Sequence, residues 1–317
     1  MATVNPIRFS NMENILRLSA MISQEINLLL RDVGNLRNSP FCRYEGSING
    51  SGSDTIRVRL AGLDGYDSMA AATNEISDES ANAKALTIES VDIIAARQYL
   101  IYQLSDLASM SSFGPSDIDP FRLAASIVGS YETRFAELTA AAASGFTTSK
   151  GANGTAFTVD KLFQGIYALE QAASGRGVPG PYAAVLSPKS LSELQTSLRN
   201  ETGNAIARMQ STADMLNVKG RNYAGELFGG EVYRSSHVVA NASSGYDNFI
   251  CGAGTFGYCD GGPDVIPGAS MDFMRTAKVL VEFEREAMSA KTSVVGHAYM
   301  GISILNDKKG CKILSAQ

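Results

Sequence analysis

Histidine is nearly absent: among 317 residues only His237 and His297 carry an imidazole. Acid-base work near neutral pH leans on that side chain, so its scarcity disfavours most proton-transfer enzymes. His237 sits beside Val238 and Val239, and His297 lies in the run Val294 to Tyr299, so both read as structural or partly exposed strand residues. Cysteine is almost as sparse. Cys42, Cys251, Cys259 and Cys311 form no CxxC pair and have no neighbouring histidine, which favours free thiols over zinc, and a Cys251 to Cys259 bridge would need an oxidising compartment.

Charge is also low. Charged residues make up 19% of the chain and the formal net charge is -5, which argues against a dedicated nucleic-acid binder, since such proteins neutralise phosphates with a basic patch. Neutral polar residues fill the surface instead, and these are cheaper than ions to bury against a neighbour. No apolar run is long enough to span a bilayer, and the opening MATVNPIRFS lacks the basic and apolar parts of a signal peptide. Synthesis in the cytoplasm without a membrane partner is therefore expected. The glycine clusters at 225–230 and 252–262 match neither GxGxxG nor GxxxxGK[ST], and turns or close backbone approach explain them better. No catalytic residue, cofactor or metal is expected.

What is present is ample apolar material, 44% of the chain, enough for one large domain or two subdomains. The first element is an amphipathic helix with Ile15, Leu18, Ile22, Ile26, Leu29 and Val33 on one face, a capping box at Ser10 and Glu13, and a stop at Gly34. Residues 35–49 look too polar and turn-rich to pack a core, so this helix is expected on a tether. A weakly cored hairpin follows. Ile56, Val58 and Leu60 alternate with Thr55, Arg57 and Arg59, and the return strand is expected at 85–97, with a bulge or twist where the alternation slips phase between Ile88 and Val91.

A helix is expected at 99–110, then a breaker, then Asp119 and Pro120 opening a long helix with Ala124, Ile127, Val128, Tyr131, Phe135 and Leu138 on one side. From residue 157 the pattern becomes α/β: a helix at 159–173, a buried strand at 182–186, a helix capped by Ser187 and Pro188, a helical stretch at 205–216, and strands around Val232 and Phe249. Val279, Val281 and Phe283 alternate with Leu280, Glu282 and Glu284, and residues 294–305 are rich in β-formers, so long strands are expected to return to the long helix.

This order of pieces resembles the major capsid proteins of tailed bacteriophages with the Hong Kong 97 fold. LTIESVDIIAARQYLIYQLSDLASM (86–110) is similar to the strand leaving the family's extended loop, and FRLAASIVGSYETRFAELTAAAASG (121–145) to its spine helix. GVPGPYAAVLSPKSL (177–191) and LFGGEVYRSSHVV (227–239) resemble the axial domain, and FICGAGTFG (249–257) with 278–286 and 294–305 resembles the closing strands. The resemblance implies an α+β fold divided into an N-terminal arm (1–45), an extended β-hairpin loop (46–84), a peripheral domain with the spine helix (85–156), an axial α/β domain (157–256) and returning peripheral strands (257–317). It implies a protein that builds the virion capsid after synthesis in the host cytoplasm. Its partners would be itself, in hexamers and pentamers, with portal, scaffolding and cement proteins and packaged double-stranded DNA bound without sequence preference.

Two departures stand out. The hairpin at 46–83 contains no lysine, the first in the chain being Lys84, so a covalently welded lattice is not expected. A long scaffolding extension is also missing from the sequence, leaving that role to a separate protein or to a removed segment. Candidate intersubunit contacts are Ile15, Leu18, Ile22 and Ile26 on the arm, Arg57 and Arg59 on the hairpin, and Glu282 and Glu284 on a late strand. The arginines suit either solvated edge charges or bidentate pairing with a neighbour's carboxylates. The glutamates share a strand face with Glu286, which suits solvation or ion pairing better than a metal or acid-base site. The rival readings are an encapsulin-type compartment with the same fold and a soluble α/β enzyme whose arm serves dimerisation.

Overall fold

The computed structural model describes residues 36–48, 52–61, 88–105, 120–171, 178, 180–200, 222–241, 243, 245–261, 279–286, 288–289 and 291–317. The expected arm helix with its capping box, the loop tip, the expected Asp119 cap and the expected helix at 205–216 lie outside these residues. The first strands are β1 (Cys42–Ser47), β2 (Thr55–Ala61), β3 (Ile88–Ile94) and β4 (Ala96–Ser105). Helix α1 (Pro120–Ala143), β5 (Ser149–Gly151), α2 (Val159–Glu170), β6 (Tyr182–Leu186) and α3 (Pro188–Asn200) follow. The remainder is β7 (Tyr223–Leu227), β8 (Gly230–Arg234), β9 (Ala240–Asn241), β10 (Gly245–Cys251), β11 (Phe256–Gly261), β12 (Val279–Glu286), β13 (Lys291–Ile304) and β14 (Gly310–Ala316).

Strand β13 organises the first sheet. One edge pairs with β4 along Lys291 to Met300, while the other pairs with β12 and then, beyond Ala298, with β11, to which β1 adds in parallel. Helix α1 lies on this sheet because Ile127, Val128, Tyr131, Phe135, Ala136, Ala140 and Ala143 recur at three- and four-residue intervals and are all buried. They meet Val279, Val281, Val294, Ala298 and Met300 in a cluster that continues into Val185, Tyr233 and Phe249 of the second sheet. Phe41 stands at the junction, its ring 6.0 Å from Phe256 of the first sheet and 6.0 and 6.2 Å from Tyr233 and Phe249 of the second.

The second sheet runs β5-β14-β10-β6-β8-β7, with β9 beside β10. Every residue of β6 is buried, because α1 and the first sheet cover one face and α2 and α3 the other. Leu162, Ile166 and Leu169 of α2 and Leu191 and Leu194 of α3 fill the second cluster with Ile250 and Ile313. Ser187 caps α3 as expected, its Oγ accepting from the Ser190 amide at 3.1 Å.

Asn248 binds these elements together from a fully buried position. Its Oδ1 accepts from the Ser187 amide at 2.8 Å, and its Nδ2 lies 2.9 Å from Ser315 Oγ and 3.1 Å from Ser190 Oγ. Truncation of Asn248 to alanine strands several of these groups without water, so unfolding free energy is expected to fall by about 3 kcal/mol. Urea denaturation would measure it.

Four expectations are corrected. Residues 36–48 are not a tether: Leu36 and Phe41 are in the core and β1 joins a sheet, because one large aromatic and backbone pairing to β11 suffice where side chains are polar. The boundary between arm and loop at 45/46 therefore falls inside β1. Residues 99–105, expected to begin a helix, belong instead to the strand that starts at Ala96, since β13 offers ten residues of backbone partners. The hairpin register is continuous from Ile88 to Ile94, and the interruption falls at Ala95, where the chain passes from hairpin to sheet. Finally, β14 joins the second sheet beside β10, so only part of 257–317 returns to the spine.

Candidate intersubunit surfaces

The hairpin β2–β3 projects Arg57 and Arg59 to solvent while Ile56, Val58 and Leu60 turn toward Ile93 and Leu305. Antiparallel pairing sets Arg57 opposite Asp92 and Arg59 opposite Ser90. Arg57 makes a bidentate pair with Asp92, Nε to Oδ1 at 2.7 Å and Nη2 to Oδ2 at 2.9 Å. Its guanidinium is thus engaged within its own hairpin, and Asp92 is a partner that sequence reading missed although the register implies it. The hydrogen bond from Arg57 holds the Asp92 carboxyl below its ordinary value of 3.8.

Because the folded-state value is depressed, the pair supports the hairpin fully above that ordinary value and is lost as pH falls through the lowered one. Amide exchange in β2 and β3, corrected for intrinsic rate, is expected to speed up as pH falls from about 4 through the depressed Asp92 value, with no change above it. Arg57→Ala should abolish this dependence at Asp92, and an unchanged profile would refute it.

Glu282 and Glu284 are both exposed on β12, as the alternation implies. Glu282 Oε2 lies 3.4 Å from His297 Nε2, and His297 Nδ1 lies 3.0 Å from Arg97 Nη2. Arg97 can only donate, so His297 Nδ1 accepts from it while Nε2 faces Glu282. The second histidine, His237, has Nδ1 3.8 Å from Glu137, whose other oxygen accepts from Arg134 at 2.9 Å. Arg134 also donates to Gln98 at 2.8 Å, along a groove between α1 and β4. The arm candidates Ile15, Leu18, Ile22 and Ile26 lie outside the described residues.

Two apolar surfaces were not anticipated. Tyr99, Ile101 and Tyr102 are exposed on β4, which the expectation of a helix concealed. Phe163 and Tyr167 are exposed on α2, and Phe163 stacks on exposed Phe228 with ring centroids 4.3 Å apart. Their four-residue spacing, out of phase with Leu162 and Ile166, was the available signal.

Burial pushes the Cys42 thiol up to about 12 and those of Cys259 and Cys311 up to about 11, so they stay protonated at neutral pH. Among the described residues no group of three His, Cys, Asp or Glu side chains is placed to hold a metal. No described helix is long and apolar enough to cross a membrane. The glycine cluster at 225–230 forms the β7–β8 turn, with Gly229 at φ +74°.

Two sheets on a shared core, a 24-residue helix laid along one and a two-stranded hairpin leaving beside it define the Hong Kong 97-type α+β fold of shell proteins. The capsid of Ralstonia phage GP4 is similar over 89% of this chain and 91% of its own, with a TM-score of 0.63 and 12% identity. The head structure of Helicobacter pylori bacteriophage KHP40 gives a TM-score of 0.55 at 10% identity, covering 87% of both chains. The holo-SrpI encapsulin complex of Synechococcus elongatus gives 0.52 at 13% identity, covering 82% of this chain and 81% of its own. No family model matches the sequence, and no curated protein matches it.

Proposed function

We propose that this chain is a major capsid protein that assembles with copies of itself into an icosahedral shell around a phage genome. The observation that carries the reading is the agreement in layout, along nearly the whole length of both chains, with phage capsid subunits. The surface chemistry agrees. A shell is held by many repeated weak contacts, and a protein with few charges, paired histidines and exposed aromatics on two faces is suited to that task.

Packaged double-stranded DNA would meet a chain of net charge -5, which favours a lining that does not grip its cargo. In this reading hexamers and pentamers form the lattice, with portal, scaffolding and cement proteins as partners, and the arm stripe of Ile15, Leu18, Ile22 and Ile26 supplies further intersubunit contact. The division into arm, loop, peripheral and axial regions belongs to the same proposal, adjusted for β1 and β14. Light scattering and electron microscopy on the protein expressed with its genomic neighbours provide the test. Megadalton icosahedral particles holding DNA are expected. Particles holding an enzyme would move the reading to an encapsulin, and a dimer that never assembles would move it to an enzyme.

A further inference from the structure

The turn joining β7 to β8 is built from Phe228 and Gly229, with φ of +53° and +74°. Glycine is at home in that conformation, but phenylalanine is strained there. Phe228 is nevertheless 42% exposed, as is Phe163, against which it stacks, and Tyr167 beside them is 56% exposed. Local folding favours neither the left-handed phenylalanine nor the uncovered rings, and strain of this kind gathers where a surface is used. Asp160 and Glu170 line the same depression, and among the described residues no cation lines it. Lys161, the basic residue of α2, is turned away, its Nζ donating to the Thr155 and Leu314 carbonyls at 2.9 and 3.0 Å.

Helix α3 lies on the same face of the sheet as α2 and carries the opposite charge outward. Lys189 and Arg199 are exposed there, with Ser192, Gln195 and Thr196 between them. Lys189 Nζ donates to the Gln317 carbonyl at 2.6 Å and lies 3.8 Å from Glu193, whose Oε2 accepts from the Phe157 amide at 2.6 Å. An aromatic surface rimmed by carboxylates suits ammonium and guanidinium groups, which stack on rings and pair with the acids.

We propose that Phe163, Tyr167 and Phe228, rimmed by Asp160 and Glu170, dock the outer face of α3 from a second copy of this chain, with Lys189 and Arg199 of that copy meeting the carboxylates. Both surfaces occur on every copy and differ from one another, so the contact is head-to-tail, and within a closed shell it repeats into a ring. It rests on the shell reading and assigns the faces that join neighbours within one ring.

Three full-length variants test it, scored by sedimentation velocity and electron microscopy. The first reverses the acidic rim (Asp160→Lys with Glu170→Lys), the second reverses α3 (Lys189→Glu with Arg199→Glu), and the third is Phe228→Gly. The first two should each lose at least tenfold in assembled particles, and mixing them should restore rings of even number, in which the two variants alternate. Phe228→Gly should leave the midpoint of urea unfolding unchanged or raised, because the turn is relaxed, and still lose assembly. If the unmodified chain forms particles and all three variants match it, this surface is wrong while the shell reading stands. If the unmodified chain forms no particles, the shell reading falls and this contact falls with it.

Discussion

Phe41→Ala is expected to lower the unfolding free energy by about 3–5 kcal/mol, the range for emptying a fully buried aromatic site. The ring makes edge-on contacts with Tyr233, Phe249 and Phe256, which belong to two different sheets. No single side chain can move to fill the space, because Phe249 and Phe256 are themselves fixed at 6.1 Å from each other and Phe146 holds Phe256 from behind at 5.5 Å. The cavity therefore persists. Urea denaturation of Phe41→Ala beside Phe163→Ala makes the comparison sharp. The exposed Phe163 should cost the isolated subunit no more than about 0.5 kcal/mol. A loss under about 1 kcal/mol at Phe41 would show that the two sheets do not depend on this junction.

Gly301→Ala should cost about 1–3 kcal/mol by overpacking and should also disturb the hairpin. A Cβ at this position would collide with the Ile94 carbonyl oxygen and stand 3.1 Å from the Ala95 amide nitrogen. Both neighbours are backbone, so no rotamer change relieves the clash. These atoms form the root of the hairpin, where the Ala95 amide donates to the Asp54 carbonyl at 2.8 Å and the chain crosses from β3 to β4. The hairpin must shift relative to β13, and any intersubunit contact made by Arg59 shifts with it. Faster amide exchange at Ile93 to Ala95 and fewer well-formed particles are expected. Exchange and assembly identical to the unmodified chain would mean that the close approach at Gly301 is dispensable.

The legible parts of the sequence were those whose partners are close in the chain or whose periodicity is strong. Helix α1 follows from Pro120 and a stripe of buried residues, and the cap of α3 follows from Ser187. The β2 alternation correctly separated Val58 from Arg57 and Arg59. What misled was the stretch ARQYLIYQLS, where Tyr99 and Tyr102, or Leu100 and Leu104, have helical spacing. Its strand state comes from β13, some two hundred residues later in the chain, and short apolar runs carry no local signal of such a partner. Residues 36–48 failed as a core prediction for a related reason, since a mostly polar segment can be held by a single buried ring and a parallel ladder.

The candidate contacts divided in the same way. Exposure of Glu282 and Glu284 follows from two-residue alternation, which is a property of strand geometry. The engagement of Arg57 by Asp92, the chain from Arg97 through His297 to Glu282, and the stacking of Phe163 on Phe228 each join residues brought together by register or by packing of distant elements. By itself the sequence determined composition, charge, the long helix, the alternating strand faces and the shortage of proton-transfer groups, because these depend on residue type and local period. Tertiary structure alone decided that β14 closes the second sheet, that Phe41 joins two sheets and that Phe228 stacks on Phe163. Those outcomes depend on which distant strands find each other, and local chemistry does not encode that choice.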